Sequence, residues 1–88
     1  MTATEAKLAS TWRSLPPIIR AKIERATEWG EFTTYFYKSV TPEAFNNIHT
    51  TLLKLQLLGY TTKYGEVSIK DDNEAVGISA DTKLTIVW

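Results

Sequence analysis

Glu31-Phe32-Thr33-Thr34-Tyr35-Phe36-Tyr37-Lys38 decides the fold, because its apolar period is two, whereas the segments on either side repeat at helical spacing. Alternation sets Phe32, Thr34 and Phe36 on one face and Thr33, Tyr35 and Tyr37 on the other. Such a strand is apolar or aromatic on both sides. One face builds the core, and the other needs a different use.

Working outward, the residues before this strand read as two helices. Thr2 with Glu5 three residues on is a capping box, and Leu8, Trp12 and Leu15 form a stripe, so a first helix is predicted over Glu5–Ser14. Pro16-Pro17 ends it and starts the next, since an amide proton is dispensable in a helix's first turn. Ile19, Ile23 and Ala26 line the inner face of a second helix, predicted over Ile18–Trp29 and closed by Gly30 as the left-handed terminator. After the strand, Thr41-Pro42-Glu43 supplies an N-cap, a first-turn proline and an acid at the positive end of the helix dipole. The third helix is predicted to run unbroken from Pro42 to Leu58. Its core stripe is Ala44, Phe45, Ile48, Leu52, Leu55 and Leu58, while Leu53 and Leu57 lie opposite.

A second strand follows over Tyr60–Lys70. Asp71–Asp81 reads as a loop with room for a short strand over Ala75–Ser79, and Thr82–Trp88 is the last strand, with Leu84, Ile86 and Trp88 inward. The order α-α-β-α-β-β defines an α+β protein: a small mixed sheet of three or four strands, covered on one face by helices. The expected strand order puts the last strand between the other two and antiparallel to both, because its large inward residues suit a central place. The chain of 88 residues, 43% hydrophobic, is the size of a single domain. Residues 1–15 are read as a helical extension and 16–88 as the α/β core.

Composition narrows the function classes. Ten basic residues balance ten acidic ones, so no net field draws the chain to nucleic acid or anionic lipid. Cys is absent, which removes disulfides, thiol catalysis and thiolate metal sites. No run of 18 apolar residues or leader-like N-terminus occurs, so neither secretion nor a membrane span is expected. His49 has no second His or acid at ligand spacing. Asp71-Asp72-Asn73-Glu74 with Gly77 faintly suggests a calcium loop. Its glycine, however, falls one position late, and Thr82 stands where the bidentate Glu belongs. The serines and glycines form neither a nucleophile elbow nor a phosphate cradle. The expectation is therefore a protein that is no enzyme and takes no cofactor and no metal.

What is left is apolar surface. Tyr35, Tyr37 and Val87 point to the sheet face away from the helices, where polar-tipped aromatics suit an interface. Leu53 and Leu57 make a second patch, which the first helix, carrying Trp12, is expected to cover. Arg13, Arg20, Lys22 and Arg25 cluster in the first two helices, interleaved with acids at pairing distance, Arg20 with Glu24 and Arg25 with Glu28. Two functions compete on these residues: protein–protein interaction, by self-association or docking, and nucleotide or nucleic-acid binding on Tyr35 and Tyr37 with Lys38, Lys63 and Lys83 near the phosphates.

A helix ending in Gly30-Glu31-Phe32 before an aromatic strand, a helix ending in Leu58-Gly59-Tyr60, and a closing strand ending in Trp88 resemble many short proteins of tailed bacteriophages and prophages. The resemblance spans Pro17–Trp88. It implies a viral origin and an accessory or minor virion role, in the host cytoplasm or the virion, and assigns no functional residue.

Overall fold

The computed structural model describes residues 1–70 and 78–88. Helix α1 (Ala3–Arg13) begins at the foreseen capping box: the Glu5 amide donates to Thr2 Oγ1 at 3.1 Å, and the Thr2 amide donates to the Glu5 carboxylate. Helix α2 (Pro17–Glu28) starts at the proline and ends through Gly30, whose φ of +75° is the left-handed conformation that glycine adopts without steric penalty. Strand β1 is Thr33–Tyr37.

The predicted third helix is broken. Pro42–Phe45 forms one turn of 3-10 helix, and α3 begins only at Ile48 and runs to Leu57. At the break Asn46 is extended, and Asn47 is left-handed at φ 51°, a region that Asn enters more easily than most residues. The kink still delivers the predicted stripe: Ala44, Phe45, Ile48 and Leu55 are buried, and Leu52 and Leu58 pack against them.

Strands β2 (Thr61–Lys70) and β3 (Ile78–Val87) complete a sheet of order β1-β3-β2. Both ladders are antiparallel, with Phe36 opposite Leu84 and Leu84 opposite Tyr64. The last strand is thus central, as foreseen. The sheet is wholly antiparallel and not mixed, because β1 and β2, which share a direction, never touch. Of the extra strand envisaged over Ala75–Ser79, Ile78 and Ser79 belong to β3, which is longer than expected; Ala75–Gly77 lie outside the described residues.

The helices pack on one face only. Leu15, Ile19, Ile23, Phe36, Leu55, Leu84 and Ile86 form the core, and Trp12 and Trp88 close its rim. Since Leu15 is buried and Trp12 joins the cluster, α1 is tied to the body at its C-terminal end. Phe32, expected in this core, is instead 69% exposed. It precedes β1 at the extreme end of the sheet, where its carbonyl accepts from the Trp88 amide and α2 has already ended.

β1 pairs only with Thr82-proximal β3, from Lys83 onward, whereas β2 continues to Lys70 opposite Ile78. The β2–β3 hairpin therefore projects past the body. The radius of gyration, 15.2 Å, exceeds the ~12 Å of a compact chain of this length, and the longest dimension is 58 Å.

Candidate interaction surface

The register fixes which side chains share the helix-free face. Across β1, β3 and β2 it presents Thr33, Val87 and Thr61 in one row, Tyr35, Thr85 and Lys63 in the next, and Tyr37, Lys83 and Gly65 in the third. Tyr35 and Tyr37 meet edge to face with ring centroids 5.5 Å apart. The Lys83 ammonium sits 4.8 Å from the Tyr35 centroid and 5.4 Å from that of Tyr37, within cation–π range of both. Thr33 Oγ1 donates to the Ile86 carbonyl at 3.1 Å and binds the start of β1 to β3.

These tyrosines also reach the free edge of β1, where a groove of about 340 Å³ separates the strand from α2. Ile18, Lys22, Arg25, Tyr35, Tyr37 and Val40 line it. The groove continues through Lys22 and Arg25 towards Trp29 and Glu31. Trp29 is 79% exposed and Val40 78%, so the margin carries large apolar side chains in water. Lys22 holds its ammonium 6.0 Å from the Phe36 ring, at the groove floor. The Arg20–Glu24 pairing expected from spacing is not made through Arg20 Nε, which is buried without a hydrogen-bond partner.

Beyond Tyr37 the chain turns. The Val40 and Thr41 amides donate to the Tyr37 carbonyl, and Asp81 braces the turn by accepting from the Ser39 hydroxyl and, at 3.2 Å, from the Ser39 amide. Those bonds, with a further one from the Thr82 amide, hold the Asp81 carboxyl below its ordinary range, the Ser39 hydroxyl being the largest influence. Asp81 is the acid nearest this aromatic face in register, and its charge is committed to the turn.

The anticipated residues are thus partly assembled. Tyr35 and Tyr37 form one site, and Val87 lies on the same face a few residues along. Trp12 packs against the core and does not belong to it. Leu53 and Leu57 stand on α3, 62% and 71% exposed. The expected cover by α1 is not realised: α1 leaves a groove against Leu57, lined by Lys7, Leu8 and Thr11. Trp29, Val40, Lys22 and Arg25 were not singled out as a group by sequence. Trp29 sits just outside the Ile19–Ile23–Ala26 stripe beside the terminating Gly30, which is the one signal of its exposure.

His49 is exposed on α3, edge-on to Tyr64 with centroids 6.5 Å apart. Among the described residues no group of three or more His, Cys, Asp or Glu side chains converges. No described helix is long and apolar enough to cross a membrane. The Asp71–Gly77 stretch weighed as a calcium loop lies outside the described residues. The chain matches no protein-family model, no curated protein and no solved structure.

Proposed function

We propose that this protein is a noncatalytic interaction module that docks a protein partner on the uncovered sheet face and the adjoining α2–β1 groove. One observation carries the reading: Trp29, Tyr35 and Val40, each more than half exposed, surround the outer edge of β1, which no strand among the described residues pairs, flanked by Lys22 and Arg25. An extended, acidic segment suits that site. Its backbone can pair with the open edge, its side chains can cover the aromatics, and its charge complements the two basic residues. The likeness to short tailed-phage proteins supports a phage-encoded accessory or minor virion role, with a host or virion protein as the docking target.

Nucleic acid is the second reading, favoured by Lys83 lying within cation–π range of two tyrosines on a face where Asp81 is already engaged by Ser39. Affinity capture from host lysate, with and without nuclease, separates the two. Protein recovered after nuclease treatment by wild type, and lost with Tyr35→Ser/Tyr37→Ser, supports docking. Recovery abolished by nuclease overturns it in favour of nucleic acid.

A further inference from the structure

The second free edge of the sheet, β2, points to a specific partner. Lys38 donates its amide to the Thr82 carbonyl and Trp88 donates to Phe32, which identifies the hydrogen-bonded pairs of the β1–β3 ladder. Backbone groups alternate sides along a strand, so Thr82, Leu84, Ile86 and Trp88 bond towards β1, and Asp81, Lys83, Thr85 and Val87 towards β2. Opposite the latter, Val67, Gly65, Lys63 and Thr61 turn inward. Thr62, Tyr64, Glu66 and Ser68 therefore aim their N–H and C=O groups out of the sheet. Among the described residues no strand receives them.

We propose that two copies of this chain join through β2, antiparallel and edge to edge, about a two-fold axis at Gly65. The proposal goes beyond the docking site argued above and rests on the opposite edge of the sheet. Gly65 is the first reason. It has no left-handed φ, and an added Cβ would meet nothing within 4 Å, so the single chain gives no steric need for glycine there. A glycine inside a strand weakens it and often marks a bulge or the close approach of a ligand or another backbone; the β2–β3 register runs through Gly65 without a bulge.

The register is the second reason. Pairing nearly the whole of β2 with itself, while matching outward groups to outward groups, leaves centres at Gly65 or Glu66. The Glu66 centre sets two carboxylates directly opposite, which is repulsive. With the axis at Gly65, Lys63 faces Val67 of the second copy and Glu66 faces Tyr64. The two Glu66 side chains then lie only diagonally, about 7–8 Å apart and open to salt screening.

The helical layer is the third. On α3, His49 meets Tyr64, and Gln56 Nε2 lies 3.5 Å from Thr62 Oγ1, so the stripe between them overlooks the β2 edge. Leu53 falls on that stripe and is 62% exposed; Tyr64 is 43% exposed. A two-fold normal to the sheet keeps both helical layers on one side and sets the two copies of Tyr64 diagonally across the seam. The projecting hairpin gains as well. A two-stranded ribbon is marginal alone; in the dimer each copy's far half of β2 lies along the near half of the other's.

The test uses the absence of cysteine in the chain. Gly65→Cys should oxidise to a disulfide-linked dimer, because directly opposed residues at a non-hydrogen-bonded position have Cα atoms about 4.5 Å apart, within disulfide reach. Lys63→Cys and Val67→Cys should each crosslink poorly alone, and well when mixed. Sedimentation velocity of wild type should show a dimer. Ser68→Pro, which removes an outward N–H and no β2–β3 bond, should raise its dissociation constant at least tenfold with an unchanged circular dichroism spectrum. A strictly monomeric wild type, or equal crosslinking of Gly65→Cys and Lys63→Cys alone, overturns the proposal. Tyr35→Ser/Tyr37→Ser should leave the dimer intact; its loss in that variant would move the contact to the aromatic face and refute the β2 edge.

Discussion

Lys83 stands directly opposite Tyr37 across the β1–β3 ladder, and its ammonium lies 5.4 Å from the Tyr37 ring and 4.8 Å from that of Tyr35. Antiparallel pairing alone brings the lysine to this position; the edge-to-face contact of the tyrosines then places both rings in its reach. A positive charge held over one exposed and one half-buried aromatic ring is partly desolvated by them and still offered to a partner. The face thus combines the large contact area of aromatic anchors, tyrosine being enriched among residues that dominate binding energy, with one oriented cation.

Replacing both tyrosines tests this arrangement. Tyr35→Ser/Tyr37→Ser should weaken partner capture at least tenfold, about 1.4 kcal/mol, while the melting temperature falls by only a few degrees. Lys83→Met, which keeps the length of the side chain, should weaken capture of an acidic partner and make what remains less sensitive to salt. Titration calorimetry with any captured partner at two salt concentrations reads both effects.

The two phenylalanines of the deciding segment should behave oppositely. Phe36 is 4% exposed and packs in the core, so Phe36→Ala should cost about 3–5 kcal/mol in urea unfolding. Phe32 is 69% exposed, and Phe32→Ala should change stability by no more than about 0.5 kcal/mol. Equal losses at the two positions would contradict the burial of the one and the exposure of the other.

Asn47 tests the break between the 3-10 turn and α3. Asn47→Val forces a β-branched residue into the left-handed region and should cost about 1–2 kcal/mol or more, whereas Asn47→Gly should be nearly neutral or stabilising. If the helix were continuous through Asn47, the order would reverse, since glycine in a helix interior is unfavourable.

What was legible in the sequence follows the range of the forces involved. The capping box at Thr2, the terminator at Gly30 and the stripe Ile19–Ile23–Ala26 are encoded within a few residues, and each was readable. The central place of β3 was also readable, because its inward residues Leu84 and Ile86 are large enough for a central position. The break at Asn47 was hidden, since the inward residues on its two sides keep an approximate helical spacing through the kink. Phe32 has the alternation of a core residue; its exposure depends on where α2 stops above the sheet, a tertiary fact. For the same reason the sequence pointed to Tyr35 and Tyr37, and separately to a basic cluster with Lys22 and Arg25, but not to Trp29 and Val40 or to the grouping of all these, which only the packing of α2 beside β1 draws together.

Asp81 supplies a pH-dependent test of the turn after β1. Its carboxylate accepts from the Ser39 hydroxyl and amide and from the Thr82 amide, and its folded pKa lies below the ordinary value of 3.8. A depressed carboxyl pKa contributes stability that is present above the unfolded value and lost as pH falls through the folded one. Wild type should therefore exceed Asp81→Asn in stability near neutral pH, and the difference should shrink as pH drops below 3.8. The side-chain carboxyl resonance should titrate below 3.8 in wild type and move up towards it in Ser39→Ala, which removes the largest contributor. An unchanged Asp81 midpoint in Ser39→Ala would show that the hydroxyl does not hold the carboxylate, and that the Lys38–Val40 turn is fixed by its backbone bonds to Tyr37 alone.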